Sequence, residues 1–144
     1  MIRKFLLPGQ YYISKTPVII ETLVGLCVSV CLYNAKTGCA AMNHFLQDCP
    51  PSKDDCALGR YDSTATEHII NTLMKMDTKP GHYRAQIFGG TKVIKTNSTD
   101  NDIGLKNIDI ARKILTVQGI RIIRKEVGST RGRRIRFDTF LYIE

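Results

Sequence analysis

Residues 18–46 constrain the fold most. Residues 18–23 are β-branched and apolar, which predicts a strand, and Gly25 and Leu26 interrupt it. Residues 27–33 then alternate, with Cys27, Ser29 and Cys31 on one face and Val28, Val30 and Leu32 on the other. Asn34-Ala35-Lys36-Thr37-Gly38 reads as a turn, and residues 39–46 read as the returning strand. The second and third runs therefore predict a β-hairpin, with antiparallel sheet at the centre of the protein.

The rest of the chain fits around that hairpin. Residues 11–16 predict a short strand and turn, and residues 49–61 a loop containing Pro50-Pro51 and Gly59. Thr64 and Glu67 have capping-box spacing, and Ile69, Ile70, Leu73, Met74 and Met76 follow at helical spacing. A strand is expected over 82–88, ending at Gly89-Gly90, and a polar loop over 97–101. A second helix is expected over 105–118 with Gly119 at its C-terminal end, then strands over 120–127, 133–137 and 140–143. Too many consecutive strands lack an intervening helix for a parallel sheet. The expectation is an α+β fold, mainly antiparallel sheet packed with two principal helices, formed as one domain over residues 1–144.

A domain of 144 residues can bury about two-thirds of its unfolded surface, so neither disulfides nor a metal are needed to stabilise it. No apolar run approaches the ~20 residues of a membrane span. The longest, 17–32, is interrupted by Glu21 and contains Gly25. Only three apolar residues separate the basic pair Arg3-Lys4 from Pro8, too few for a signal-peptide core. The expectation is a cytoplasmic protein without membrane insertion. Net charge is +8, and the stretch from Lys106 to Glu144 holds ten Lys and Arg against four acids. That stretch suits a solvated basic face or a docking surface for an acidic partner. The run Arg131 to Arg136 has few interleaved aromatics and no base-reading pattern, so no nucleic-acid partner is expected.

The five cysteines are odd in number and none form a Cys-x-x-Cys pair, so thiols are expected in a reducing compartment. On one strand, Cys27 and Cys31 lie ~13 Å apart, too far for a shared zinc or a disulfide. Cys49 and Cys56 lack a matching second pair. No metal and no cofactor are expected. Cys31 and Cys39 read as small hydrophobes on strands, and His68 and His82 as solvated residues. Cys27 differs because it follows Gly25-Leu26 at a strand break, where the glycine lets the chain turn and amide N–H groups approach the thiol. His44 lies on the paired strand, so thiol and imidazole can meet across the sheet. A lone Cys and His on neighbouring strands can equally be packing residues, but as a pair they suit nucleophile and base.

The run TLVGLCVSVCLYN over 22–34 resembles the Thr-rich strand and Gly-Ser-Cys-Val motif of the CheD family. Gly38 and MNHFL over 42–46 resemble its histidine motif. The likeness continues through the helix after Tyr61, Gly89-Gly90, IGLKN over 103–107 and Gly132-Arg133 before the last strand. Leu26 stands where that family usually has serine, Gln47 where it has proline and Ser129 where it has a second glycine. The resemblance implies hydrolytic deamidation of glutamine side chains on the cytoplasmic domain of chemotaxis receptors. It implies Cys27 as nucleophile, His44 as base and a threonine orienting the histidine, for which Thr22 is expected and Glu21 is the alternative. Gly25 and Leu26 would support the loop or the oxyanion. It also implies binding to the phosphatase CheC, for which Gly89, Gly90, Ile103, Gly104 and Asn107 are the expected contacts. The rival readings are a non-catalytic adaptor for the receptor or CheC, and a Cys-His deamidase acting on another protein.

Overall fold

The computed structural model describes residues 2–45, 65–91, 103–128 and 131–142. The strands are β1 Ile2–Leu6, β2 Tyr11–Ser14, β3 Val18–Val24, β4 Val28–Asn34, β5 Ala40–Asn43, β6 Tyr83–Gly89, β7 Arg121–Val127 and β8 Arg133–Asp138. The helices are α1 Ala65–Met74 and α2 Ile103–Val117. One sheet has the order β1-β3-β8 and the other β2-β5-β4-β6-β7, giving an α+β fold of two mixed sheets.

The expected hairpin forms, with Cys31, Leu32 and Tyr33 of β4 opposite Met42, Ala41 and Ala40 of β5. Its turn is set by Asn34, whose side-chain oxygen accepts the N–H groups of Lys36 and Thr37 at 2.8 and 2.9 Å. The alternation along β4 supplies two cores. Val28, Val30 and Leu32 pack with Ile69, Ile70, Leu73, Ala111 and Leu115 from the helices. Cys31 and Tyr33 pack with Leu6, Ile20, Val24, Met42, Ile135 and Phe137, between the two sheets. The molecule is therefore layered as helices, five-stranded sheet, three-stranded sheet, and every residue of β4 is buried. Each fully buried Val, Leu or Ile side chain contributes about 1.5–3 kcal/mol to holding these layers together.

The sheets are mainly antiparallel, as expected, with β1 parallel to β3 and β6 parallel to β7 as the parallel pairings among the described strands. Helix α2 is the crossover that a parallel β6–β7 pair requires. β1 was not expected, because Arg3 and Lys4 interrupt its apolar residues and give it no alternating pattern. The last segment is no strand but a 3₁₀ turn over Thr139–Tyr142. The Asp138 carboxylate accepts the Phe140 N–H at 3.2 Å and the Thr139 hydroxyl accepts the Val18 N–H at 2.8 Å, which turns the chain off the sheet.

In α1 the spaced residues Ile69, Ile70 and Leu73 are fully buried, while Met76 lies beyond the helix and is exposed. The capping residue Thr64 and the expected loops over 49–61 and 97–101 lie outside the described residues. Helix α2 starts two residues earlier than expected. It closes with Gly119 N–H on the Thr116 carbonyl at 3.0 Å and Ile120 N–H on the Leu115 carbonyl at 2.9 Å. Among the described residues no helix is long and apolar enough to cross a membrane.

Candidate active site

The three-stranded sheet presents Thr22 to the five-stranded one. Along β3, Ile20, Thr22 and Val24 are buried, whereas Glu21 turns to the other face and meets Arg3 at 3.7 Å and Arg134 at 3.4 Å. The Thr22 hydroxyl lies 2.8 Å from His44 Nδ1 and 2.7 Å from the Leu6 carbonyl oxygen. Thr22, not Glu21, is therefore the residue brought to the histidine.

These two contacts fix the histidine's protonation. A hydroxyl has one hydrogen, and a carbonyl can only accept, so Thr22 donates to Leu6. Toward His44 the hydroxyl is left as an acceptor, and Nδ1 must carry the hydrogen. The neutral imidazole then has Nε2 as its basic nitrogen. The backbone of His44 is held too: its N–H donates to the Gln10 carbonyl at 3.0 Å, and its carbonyl accepts the Gly9 N–H at 2.7 Å. Only 3% of His44 is exposed. Leu6, Gly9 and Gln10 contribute through main-chain atoms, which is why side-chain patterns gave no sign of them.

Cys27 sits in the bend between β3 and β4 and is half-buried, as are Gly25 and Leu26. The next residue, Val28, exchanges both backbone hydrogen bonds with Phe45, at 2.9 and 3.0 Å. Since Val28 and Phe45 are directly paired, Cys27 and His44 fall at diagonal positions on the opposite face of this strand pair. The bend is seated on the end of β6. The Gly90 N–H donates to the Cys27 carbonyl and the Thr91 N–H to the Gly25 carbonyl, both at 2.9 Å.

This seat accounts for the glycines. A methyl group on Gly89 would lie 2.1 Å from the Cys27 oxygen, and Gly89 has φ +108°. Gly104 in the first turn of α2 approaches Gly90 and Thr91 so closely that a methyl group there would lie 2.6 Å from either carbonyl oxygen. Gly25, by contrast, has no left-handed backbone, and a methyl there would meet only the Thr91 hydroxyl at 3.8 Å. The steric need for glycine expected at Gly25 falls on Gly89. Gly89, Gly90, Gly104 and Asn107, expected as contacts for CheC, are buried. Gly89 and Gly90 seat the Cys27 bend, and Gly104 packs against the carbonyls of Gly90 and Thr91. Ile103 begins α2 beside them.

The remaining cysteines divide cleanly. Cys31 is 1% exposed, and burial pushes its thiol well above the usual range despite the opposing influence of the Ser29 hydroxyl and Arg124. Cys39 is buried with its sulfur 3.8 Å from Met76 Sδ. Cys49 and Cys56 lie outside the described residues. Among the described residues no three His, Cys, Asp or Glu side chains converge as a metal would require. His68 is exposed and edge-to-face with Tyr11 at 4.8 Å. His82 is not simply solvated, because its Nδ1 lies 2.6 Å from Asp77 Oδ2.

Fold and site define an α+β protein with a Thr–His pair buried between two mixed sheets, beside a cysteine-bearing bend seated on glycines. The family model described as CheD chemotactic sensory transduction matches residues 35–140, and the chain belongs to the CheD family. Among similar proteins, the probable chemoreceptor glutamine deamidase CheD of Rhodospirillum rubrum is 34% identical, covering 96% of this chain and 78% of its own. The protein named probable chemoreceptor glutamine deamidase CheD 2 in Shewanella oneidensis is 37% identical over 91% of this chain and 69% of its own. The one so named in Hahella chejuensis is 35% identical over 92% of this chain, which spans 64% of that protein's length. Among solved structures, the Bacillus licheniformis hypothetical protein YfiH has a TM-score of 0.50 at 15% identity, over 83% of this chain and 51% of that one. This is a likeness of fold alone.

Proposed function

We propose that the protein is a protein-glutamine deamidase that hydrolyses glutamine side chains of chemoreceptors to glutamates, with Cys27 as nucleophile and His44 as base. Membership in the CheD family and the names of its relatives support the reaction and the substrate class. The single observation that carries the residue assignment is the relay Leu6 C=O, Thr22 O–H, His44 Nδ1–H, which leaves His44 Nε2 as the group that takes a proton.

Nε2 accepts the Cys27 thiol proton, and the thiolate attacks the carboxamide carbon, turning the carbonyl oxygen into an oxyanion. As that oxygen's electron pair returns, the C–N bond breaks and the imidazolium gives its proton to the nitrogen, which leaves as ammonia. The thioester remains on Cys27. Water, deprotonated by Nε2, adds to the thioester carbon and expels the thiolate, which recovers its proton. The glutamine carboxamide has become a carboxylate. Throughout, Thr22 holds the imidazole in one orientation and accepts from Nδ1, as the orienting partner does in other nucleophile–histidine sites. Gly25 and Leu26 belong to the supporting bend.

Because the substrate segment is a receptor's cytoplasmic domain, the reading places the protein in the cytoplasm. Binding to the phosphatase CheC is the further element, carried over from the family resemblance. The test is incubation of a purified receptor cytoplasmic fragment with the protein, followed by peptide mass spectrometry. Glutamine-to-glutamate conversion with matching ammonia release is expected. No conversion on several receptor fragments, by protein shown to be folded, overturns the reading.

A further inference from the structure

On one flank of the molecule two edge strands meet, β1 at the margin of the smaller sheet and β2 at the margin of the larger. A groove of about 380 Å³ runs between them, and its lining includes Lys4, Leu6, Gly9, Gln10 and Tyr12. We propose that this groove receives an acidic segment of the substrate polypeptide, close in sequence to the glutamine that reacts, and so selects which glutamines are converted. The inference rests on the deamidase reading above.

Main-chain bonds join the groove to the site. The Leu6 carbonyl accepts the Thr22 hydroxyl at 2.7 Å. Gly9 and Gln10 hold the carbonyl and N–H of His44 at 2.7 and 3.0 Å. His44 therefore lies between residues 9–10 on one side and the Cys27 bend on the other, where Phe45 pairs with Val28. Two strand spacings place the groove ~10 Å from Cys27. An extended chain covers that span in about three residues. A polypeptide that presents a glutamine to Cys27 can thus lay its neighbouring residues in the groove.

The groove is built in advance of any ligand. Leu7-Pro8-Gly9-Gln10 forms a turn in which the Gln10 N–H donates to the Leu7 carbonyl at 3.0 Å, and Gly9 has φ +88°, as the third position of a type II turn requires. The Gln10 side-chain oxygen accepts the Leu7 N–H at 2.9 Å. A fixed wall of this kind lowers the ordering cost of binding.

Charge and exposure define the occupant. Residues 2–20 hold Arg3, Lys4 and Lys15 and no Asp or Glu. Arg3 turns to Glu21 on the outer face, at 3.7 Å. Alternation along β1 puts Lys4 on the same side as the buried Leu6, and its ammonium lies 5.3 Å from the centre of the Tyr12 ring. Among the described residues Lys4 is the cation that lines the groove, and no acid lines it. Phe5 and Tyr11 also line it and are 49% and 52% exposed, while Leu7 in the turn is 56% exposed. Exposed apolar side chains around a cation suit a segment carrying a carboxylate and an apolar residue, whereas a basic segment meets Lys4 with like charge.

The test uses the full chain and synthetic peptides with one glutamine, placing Glu, Ala or Lys three residues to each side of it in turn. Ammonia release gives kcat and KM, and NMR of the amides in residues 4–12 reports binding. Wild type is expected to favour a Glu peptide over its Lys counterpart by about fivefold in kcat/KM, through KM. Lys4→Glu should reverse that order. Lys15→Glu makes the same change in net charge outside the groove and should leave the order as in wild type. No preference, a preference that survives Lys4→Glu, or one equally altered by Lys15→Glu overturns the proposal. If no peptide is deamidated, the deamidase reading fails and the NMR decides on the groove alone. Saturable shifts by the Glu peptide in residues 4–12, lost in Lys4→Glu, then uphold it, and shifts elsewhere or none overturn it.

Discussion

Thr22 accepts a hydrogen bond from His44 Nδ1 at 2.8 Å because its own hydrogen is committed to the Leu6 carbonyl, 2.7 Å away on the neighbouring strand. An edge strand thus sets the tautomer of a histidine on the other sheet. Thr22→Val keeps the shape and removes the acceptor, leaving a buried N–H unpaired at about 1–3 kcal/mol. The expected result is a kcat lower by roughly 10- to 100-fold with KM little changed, and recovery of most of the rate in Thr22→Ser. Steady-state deamidation kinetics on a receptor fragment check this.

Gly89 and Gly128 both have left-handed backbones, but only one lies against the Cys27 bend. Gly128→Ala has φ +77° and open space, so its cost is the backbone strain of about 1–2 kcal/mol. Gly89→Ala must also push its methyl away from the Cys27 oxygen, 2.1 Å distant. It should cost about 3 kcal/mol or more and abolish turnover even at temperatures where the variant is folded. Thermal melts alongside activity assays distinguish the two.

Cys31 should be dispensable for chemistry. Burial holds its thiol protonated, so it is a poor nucleophile in the native state. Mass-mapped alkylation with iodoacetamide is expected to label Cys27 first and Cys31 only after unfolding. Cys31→Ala should retain the wild-type kcat, with stability lowered by about 1 kcal/mol.

The Asp77–His82 contact predicts a pH effect on stability. Asp77 has a pKa of about 2, below its usual 3.8, held down by the Asn34 amide, then by His82 and the Lys79 N–H. Its folded-state value is depressed, so its contribution is complete above about pH 4 and is lost as pH falls toward 2. The stability difference between wild type and Asp77→Asn should be largest near neutrality and shrink over that interval. Thermal melts at stepped pH values measure it.

The hairpin was legible in the sequence because Asn34 and the alternation of β4 act locally. Helix α1 was legible for the same reason, through Ile69, Ile70 and Leu73. The choice between Thr22 and Glu21 was not. Val18, Ile19 and Ile20 are all buried, so β3 lacks the clean alternation that fixes which side chain faces inward, and a shift of one residue exchanges the faces. The seat beneath Cys27 was hidden for another reason. Gly89, Gly90 and Gly104 serve a bend distant in sequence, and a glycine pair alone does not say whose backbone it lets approach. β1 was missed because an edge strand needs no apolar face of its own. Its Leu6 carbonyl nonetheless completes the site.

The most direct measurement compares wild type and Cys27→Ala on one receptor fragment, counting glutamate at each former glutamine by peptide mass spectrometry over time. Conversion by wild type and a rate at least about 10³-fold lower in a folded Cys27→Ala is predicted, as for loss of an attacking group. Equal conversion by both proteins would contradict the assignment of Cys27 as the nucleophile.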